Sequence, residues 1–320
     1  MSKILSTTPL FEAEAERLGA AGHELWMPAQ PGTLSDANLL SRLSEAEALL
    51  CLLSDRIDAE ILRAGSCLKL VANIAVGYEN VDVDAARDLG IAVTNTPDVL
   101  TEATADMTFA LLLAAARRIP EANAALRDGQ FPVWRLDQPL LGLDVHGKTL
   151  GILGMGRIGA AVARRGRLGF GMRVLYYNRT RREEVEEEIG ADFVPFDRLL
   201  KESDFLCVHV PGTDETRHLM DADALSLMKP TAILVNAARG PVVDEAALGD
   251  ALARGTIAGA GLDVFEREPD VHPMLLAASE RVVLTPHLGS ATRDTRRAMV
   301  RLAVDNVLAV LSGEGPITPV

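Results

Sequence analysis

The sequence has few aromatic residues and fewer basic than acidic side chains. Aromatics make up 4% of the 320 residues, so leucine, valine, alanine and isoleucine must supply most of the buried surface. There are 32 lysines and arginines against 45 acidic residues, a formal net charge of −13, which argues against a general affinity for nucleic acid. A small anion can still bind where a local group of arginines or backbone amides outweighs the overall charge.

Cysteine is also scarce, and long apolar runs are missing. Cys51, Cys67 and Cys207 lie far apart beside aliphatic residues, so we expect small buried side chains in a reducing compartment and no bound metal. No apolar run approaches the roughly 20 residues that span a bilayer. The N-terminal residues lack the pattern of a signal peptide. The sequence therefore predicts a cytoplasmic protein that binds neither membranes nor nucleic acid.

Short apolar runs alternate with helical patterns along the whole chain, which is typical of parallel sheets with crossover helices. Two helical patterns, Thr101–Arg117 and Ser290–Leu311, fit neither set of strands and are interpreted as links. We expect an α/β fold of two Rossmann-like lobes, each a doubly wound parallel sheet, with an interdomain cleft that holds the ligand. The predicted boundaries are residues 1–100 plus 288–320 for a discontinuous domain and residues 101–287 for the other.

The most informative motif is a glycine-rich turn between an apolar strand and a helix. The segment Thr149–Gly159 reads TLGILGMGRIG and contains G-x-G-x-x-G. Gly154 permits the tight turn, Gly156 lets the backbone approach a pyrophosphate, and Gly159 allows close packing of helix on strand. The second domain is therefore predicted to bind a dinucleotide, and the predicted contacts are Gly154, Met155, Gly156, Arg157, Ile158 and Gly159.

The end of the next strand favours one dinucleotide over the other. NAD-selective sites carry a carboxylate there for the ribose hydroxyls, but this strand ends in Asn178, Arg179 and Thr180, followed by Arg181. Arginines and a hydroxyl suit a 2′-phosphate, so NADP(H) is the preferred cofactor and NAD(H) remains possible. The alternative is a solvated basic start to a helix whose acidic run, 183–188, pairs with it.

Three residues further along the chain form a candidate catalytic group. Arg239, Glu268 and His287 each lie at the end of a predicted strand or in the loop after it, where ligands bind in open parallel sheets. Reduction of a 2-oxo acid needs a cation for the carboxylate, a proton donor for the carbonyl oxygen and a group that keeps the donor charged. Arginine, histidine and glutamate supply these three parts.

Four ordered motifs resemble the D-isomer-specific 2-hydroxyacid dehydrogenase family, and within it the glyoxylate/hydroxypyruvate reductase branch. The motifs are the glycine loop, NAARG at 236–240, GLDVFE with Glu268 and Pro269 at 261–269, and TPHLG at 285–289. The resemblance covers essentially the whole chain. It implies an NAD(P)-dependent dehydrogenase of small 2-oxo or 2-hydroxy acids, with two Rossmann-like lobes and usually a homodimer.

The same resemblance implies roles for individual residues. His287 would be the acid and base, Glu268 its support, and Arg239 the carboxylate clamp, with the backbone of Val76 and Gly77 also binding the substrate. Further residues are implied as cofactor contacts: Thr104, Val210, Pro211, Thr216, Ala237, Asp263 and Gly289. Trp134 is either an interface anchor or a contact to a neighbouring subunit's substrate.

Two kinds of alternative remain open at this point. One is a dehydrogenase for another donor, such as phosphite; a formate dehydrogenase is disfavoured because the resemblance would call for glutamine at the position of Glu268. The other is a nicotinamide-sensing binding protein of the same fold, similar to the C-terminal-binding corepressors. Turnover of NADPH with a 2-oxo acid would distinguish these alternatives.

Overall fold

The computed structural model describes residues 1–30 and 37–320. The chain divides into two compact units, one formed by Met1–Leu100 with Thr292–Val320 and the other by Thr101–Ala291. In the described part of the chain, no helix combines the length and apolar character needed to cross a membrane.

The first unit contains a five-stranded sheet in the order β2-β1-β3-β4-β5, with every neighbouring pair parallel. In register, Ile4 pairs with both Leu25 and Ala48, and Leu70 pairs with Ala92. The strands are β1 (Lys3–Ser6), β2 (Glu24–Trp26), β3 (Ala48–Cys51), β4 (Leu70–Asn73) and β5 (Ala92–Thr94). The helices are α1 (Glu12–Ala20), α2 (Ala37–Leu43), α3 (Ala59–Ala64), α4 (Val83–Asp88) and, at the C-terminal end of the chain, α13 (Arg293–Ser312).

The second unit contains a seven-stranded parallel sheet in the order β12-β11-β10-β9-β6-β7-β8. Its strands are β6 (Thr149–Leu153), β7 (Arg173–Tyr177), β8 (Asp192–Phe193), β9 (Phe205–Val208), β10 (Ile233–Asn236), β11 (Gly259–Leu262) and β12 (Val282–Leu284). Its α-helices are α5 (Thr101–Ala116), α6 (Ile119–Arg127), α7 (Arg157–Arg164), α8 (Glu183–Ile189), α9 (Phe196–Glu202), α10 (Ala222–Leu227), α11 (Glu245–Arg254) and α12 (Pro273–Ala277). A π-helical turn (Arg165–Gly169) and a 3₁₀ turn (Gly240–Val242) complete it.

The central strands of the second sheet are buried along their whole length, as expected where helices cover both faces of a parallel sheet. One cluster of side chains lies beneath α5 and α7, and a second lies beneath α9, α10 and α11. Close contact needs small residues at particular positions. A Cβ added to Gly261 in β11 would lie 3.0 Å from Leu111 Cβ in α5.

The predicted fold class, an α/β protein with two Rossmann-like parallel sheets, is confirmed by these two sheets. The prediction that all three cysteines are buried is wrong for one of them. Cys51 and Cys207 lie within buried strands, but Cys67 is exposed. Cys67 lies in the turn between α3 and β4, where its neighbour Leu68 is the residue that packs into the core. A single aliphatic neighbour therefore did not indicate burial.

Candidate active site

The strand order of the second sheet reverses between β6 and β9. The chain adds β7 and β8 on one side of β6, and it adds β9 and the later strands on the other side. Such a switch point opens a crevice at the carboxyl ends of the two strands. The glycine loop begins there. Gly154 has φ +102°, and a Cβ added to it would lie 2.7 Å from the His209 carbonyl carbon and the Val210 nitrogen, which follow β9. Only glycine fits this position without displacing the neighbouring loop.

The other two glycines of the motif have opposite surroundings. A Cβ on Gly159 would lie 2.2 Å from the Gly154 carbonyl oxygen, so α7 packs directly on the loop. A Cβ on Gly156 would meet no heavy atom within 4 Å. Gly156 is the N-cap of α7, where the first amides have no intrahelical acceptor. An open backbone at a helix N-terminus fits a pyrophosphate group, which suits a dinucleotide cofactor.

The segment after β7 contains the four predicted specificity residues. Arg181 forms a bidentate ion pair with Glu186, with Nε 2.8 Å from Oε1 and Nη2 2.6 Å from Oε2. Glu186 also accepts a hydrogen bond from the Tyr176 hydroxyl at 2.6 Å. The bonds from Arg181 and Tyr176 lower the pKa of Glu186 to about 2. Arg181 is therefore paired with the acidic run 183–188, which agrees with the alternative interpretation in which this run neutralises the basic start of the helix.

Arg179 differs from Arg181 in this respect. Its side chain is exposed and its charge acts on Glu215, but within the described ranges no acceptor takes a hydrogen bond from its guanidinium. Thr180 is exposed beside it, and the amide nitrogen of Asn178 donates to the Thr180 carbonyl at 2.8 Å. The strand end thus presents one arginine and one hydroxyl outward on a turn that the Asn178 side chain braces.

Arg239 lies in a turn that the last residue of β10 holds in shape. The Asn236 side chain accepts the Ala238 N–H at 3.1 Å and donates to the Arg239 carbonyl at 2.9 Å. The aliphatic part of Arg239 runs along Gly212, where an added Cβ would lie 3.1 Å from Arg239 Cγ. The guanidinium also donates to the Ala238 carbonyl at 2.6 Å. The position of the arginine is therefore set by β10 and by the loop after β9.

Glu268 and His287 contact each other directly, with Oε2 2.8 Å from Nδ1. An ionised carboxylate can only accept, so Nδ1 carries the proton of this bond and Nε2 is the nitrogen left for exchange. Burial would raise the pKa of Glu268, but the bond to His287, its charge, the Phe265 N–H and the charge of Arg239 outweigh burial and lower it. The structure thus brings the three predicted catalytic residues into one electrostatic group.

The loop that carries His287 is fixed by Asp263, which is 1% exposed and directly follows β11. One oxygen of its carboxylate accepts from the Leu288 N–H at 2.8 Å and from the Thr285 hydroxyl, and the other accepts from the Gly289 N–H at 2.7 Å. The Asp263 carbonyl accepts the His287 N–H at 2.8 Å. His287 itself has φ +54°, an unfavourable conformation for histidine that this clamp stabilises.

The remaining predicted residues of the second unit lie around these groups. Thr104 is buried, and a Cβ on Gly289 would lie 3.3 Å from both Thr104 Cγ2 and Asp263 Oδ2. The Thr216 hydroxyl donates to the Pro211 carbonyl at 2.6 Å and shapes the loop after Val210. Ala237 is the buried residue between Asn236 and Ala238.

The predicted substrate contacts Val76 and Gly77 lie after β4 in the first unit. Their carbonyls are occupied, because Asn95 donates to the Val76 oxygen and Asn73 to the Gly77 oxygen, both at 2.7 Å. Among the residues that the structure describes, no acceptor takes the N–H groups of Val76 and Gly77. Two adjacent amides in this state fit an anionic group.

Sequence reasoning missed two positions that shape the site. Asp263 was assigned only to the cofactor, whereas its carboxylate binds the loop of His287. Glu245, the first residue of α11, was not singled out, although its buried carboxyl group accepts from the Glu266 N–H at 2.7 Å and the His272 N–H at 3.2 Å. Its position after Asp244 resembles an ordinary helix start, so the sequence carries no signal for this role. Within the described residues, no group of three His, Cys, Asp or Glu is arranged to hold a metal ion.

Comparison with known proteins gives consistent matches over most of the chain. Residues 109–289 match the family model for the D-isomer specific 2-hydroxyacid dehydrogenase, NAD binding domain. A glyoxylate reductase from Thermococcus onnurineus (strain NA1) is 54% identical over 286 residues, which cover 88% of this chain and 84% of the relative.

Solved structures are similar over the full length. A protein from Thermus thermophilus has a TM-score of 0.90 and 46% identity, covering 99% of both chains. The NADPH-dependent glyoxylate/hydroxypyruvate reductase of Sinorhizobium meliloti, in complex with NADP and malonate, has a TM-score of 0.86 and 40% identity, covering 100% of this chain and 96% of that one. The resemblance predicted from the motifs is confirmed: the chain belongs to the D-isomer specific 2-hydroxyacid dehydrogenase family and is an NAD(P)-dependent 2-hydroxyacid dehydrogenase.

Proposed function

We propose that the protein reduces a small 2-oxo acid of the glyoxylate or hydroxypyruvate type to the D-2-hydroxy acid, with NADPH preferred over NADH. The observation that carries the proposal is the Glu268–His287 bond, in the same unit as an open glycine loop and under the charge of Arg239. Relatives named glyoxylate reductase support the substrate class.

The three catalytic roles follow from the chemistry of the side chains. A nicotinamide bound at the glycine loop would supply the hydride that reduces the carbonyl carbon. His287, with Nδ1 held by Glu268, gives its Nε2 proton to the carbonyl oxygen and recovers it in the reverse direction. The negative charge of Glu268 favours the protonated imidazole that this step needs. Arg239 binds the substrate carboxylate and polarises the carbonyl.

The cofactor preference rests on the turn after β7. Since Glu186 already holds Arg181, Arg179 is the arginine offered to a 2′-phosphate, with Thr180 and Asn178 beside it. The relative from Sinorhizobium meliloti that is named NADPH-dependent supports this preference. NADH remains a possible but weaker donor.

The other contacts are proposed on the same basis. Residues 101–287 would bind the cofactor, and residues 1–100 with 288–320 would bind the substrate, where the N–H groups of Val76 and Gly77 suit its carboxylate. The cofactor contacts outside the turn after β7 would be Thr104, Gly154, Met155, Gly156, Arg157, Ile158, Gly159, Val210, Pro211, Thr216, Ala237, Asp263 and Gly289. The cytoplasmic location stays a prediction.

We also propose a homodimer that uses the exposed segment 131–141 and α6. Phe131, Trp134 and Leu136 are 82%, 77% and 86% exposed, and α6 has no buried residue in the single chain. Large apolar side chains that are this exposed in a single chain mark surfaces that proteins cover on association. Sedimentation equilibrium should give twice the chain mass, and Trp134→Glu with Leu136→Glu should shift it toward the monomer. A monomeric wild-type protein would contradict the proposal.

The proposed reaction is tested by a panel of 2-oxo acids. Glyoxylate, hydroxypyruvate, phenylpyruvate and a 2-keto sugar acid are assayed with NADPH and NADH, following cofactor oxidation by absorbance. We expect turnover with glyoxylate or hydroxypyruvate and a higher kcat/KM for NADPH. Tight NADPH binding without turnover of any acid would favour the nicotinamide-sensing alternative instead.

A further inference from the structure

Glu245 is a carboxyl-bearing residue that is only 5% exposed, in a part of the second unit that has no assigned role in the reaction. It is the first residue of α11, and the side chain of its N-cap neighbour Asp244 accepts the Ala247 N–H. The N-cap bond of α11 is therefore made by Asp244, and the carboxyl group of Glu245 takes no part in it. Its own carboxyl group points to a different segment of the chain.

That segment is the loop from β11 to α12, which carries Glu268. One oxygen of Glu245 accepts the Glu266 N–H at 2.7 Å and the other accepts the His272 N–H at 3.2 Å. The two amides lie on either side of Glu268 in the sequence. A single buried carboxyl group thus holds both ends of the stretch that bears the partner of His287.

The contact is reciprocal, since Glu266 Oε1 accepts the Glu245 N–H at 2.9 Å. The titratable groups around Glu266 are His218, with Nε2 3.0 Å away, Arg217 at 3.7 Å, and Asp244, which also faces His218. Burial would raise the pKa of Glu266, but the Glu245 N–H and the His218 ring outweigh burial and lower it. The loop is therefore fixed to the start of α11 in both directions.

Two glycines bring the same elements into direct contact. A Cβ on Gly240 would lie 1.9 Å from the carbonyl carbon of Phe265, so the turn after Arg239 packs on the loop backbone. A Cβ on Gly249 in α11 would lie 2.7 Å from Met274 Cβ in α12. Both ends of the loop therefore pack against α11 or against the turn that precedes it.

We propose that Glu245 is a positioning residue for the reaction: by bridging the amides of Glu266 and His272, it sets the distance and angle at which Glu268 meets His287. The inference rests on the proposed role of Glu268. Glu245 acts through Glu268 and does not itself meet substrate or cofactor.

The test compares Glu245→Ala and Glu245→Gln with Asp250→Asn, an exposed acidic position on the same helix. Glu245→Ala should reduce kcat about 10²-fold, since displacement of a catalytic group by about 1 Å costs this much. Glu245→Gln keeps one acceptor oxygen, so its kcat should fall about tenfold. Asp250→Asn should leave kcat unchanged. The NADPH dissociation constant should change less than twofold in all three, because the glycine loop is not touched.

A purely structural role is separated by two further readouts. The alkaline limb of the pH–rate profile should move to lower pH in Glu245→Ala, in the same direction as in Glu268→Gln, because a misplaced carboxylate no longer favours the protonated imidazole. In a Glu268→Gln background, Glu245→Ala should add less than a threefold loss, since the two act through one contact.

Several results would overturn the inference. If Glu268→Gln lowers kcat and moves the limb but Glu245→Ala and Glu245→Gln do neither, Glu245 does not position Glu268, while the proposed function stands. If the losses of Glu245→Ala and Glu268→Gln multiply fully, the two residues act independently. If Glu268→Gln itself has no effect, the proposed role of Glu268 fails first. If Glu245→Ala does not fold, the alkaline limb of the pH–rate profile of Glu245→Gln decides whether Glu245 positions Glu268.

Discussion

Gly156 and Gly159 belong to the same loop, but alanine at each is expected to change a different property. A Cβ at Gly159 would lie 2.2 Å from the Gly154 oxygen and 3.1 Å from Ile152 Cγ2. Ordinary contact requires about 3.5 Å, so α7 has to move away by about 1 Å. Overpacking of this kind costs about 1–3 kcal/mol. In a chain of 320 residues, whose entropy of unfolding near Tm is about 0.7 kcal/mol/K, that cost lowers Tm by about 1.5–4.5 °C.

Gly156 has φ −79° and ψ −165°, a conformation that alanine adopts, and its Cβ would meet nothing within 4 Å. Alanine stabilises the fold by about 0.4–1 kcal/mol through the unfolded chain, but an N-cap position disfavours alanine relative to glycine by a similar amount. The two effects nearly cancel, so Tm should stay within about 1 °C of the wild type. The added methyl group, however, occupies the approach to the amides of α7. NADPH should bind at least about tenfold more weakly, a loss of about 1.4 kcal/mol.

The assay pairs thermal unfolding of each cofactor-free variant with a fluorescence titration of NADPH. We expect a low Tm for Gly159→Ala and a weak affinity with normal Tm for Gly156→Ala. A Gly156→Ala variant that binds NADPH as tightly as the wild type would refute the idea that the open backbone is where the pyrophosphate lies. An unchanged Tm for Gly159→Ala would refute the close packing of α7 on the loop.

Three further predictions concern the catalytic and specificity residues. His287→Gln should lower kcat by roughly 10²–10⁴-fold at nearly constant NADPH affinity, and a variant with comparable turnover would remove His287 from the mechanism. Arg179→Ala should weaken the binding of NADPH much more than the binding of NADH. Arg181→Ala should change the ratio of the two affinities less, because Arg181 is paired with Glu186. Equal losses of affinity for both cofactors in Arg179→Ala would contradict the assignment. Glu268 has a lowered pKa, stays charged at neutral pH and favours protonated His287. In Glu268→Gln the alkaline limb of the pH profile of the reductive rate should therefore move to lower pH, because the imidazole loses the carboxylate that favours its protonated form. An unchanged profile would indicate a structural carboxylate.

The sequence predicted the parts of the fold that depend on local pattern. Buried strands such as Phe205–Val208 are continuous apolar runs, and the glycine spacing at 154–159 allows one kind of turn. The strand Asp192–Phe193 has no such pattern in the sequence, because both residues are exposed and form no apolar run. Cys67 was placed wrongly because burial in a turn depends on which of two adjacent residues faces the core.

The candidate site was predictable only in part. Arg239, Glu268 and His287 could be found because each follows a strand, and such positions meet at one edge of a parallel sheet. The partner of Arg181 could not be chosen from the sequence, since the acidic run offers several carboxylates and only the helix geometry selects Glu186. The roles of Asp263 and Glu245 depend on backbone amides, and every residue except proline has one, so residue type gives no signal.

The way in which Asp263 holds the histidine loop has a practical consequence for protein engineering. Its carboxylate accepts from the main-chain N–H groups of residues 288 and 289, and the Leu288 side chain, which is 38% exposed, takes no part in these bonds. A library that varies residue 288 among all residues except proline should therefore retain the imidazole in its working orientation. Randomising residue 263 would release the loop, whatever amino acids surround it.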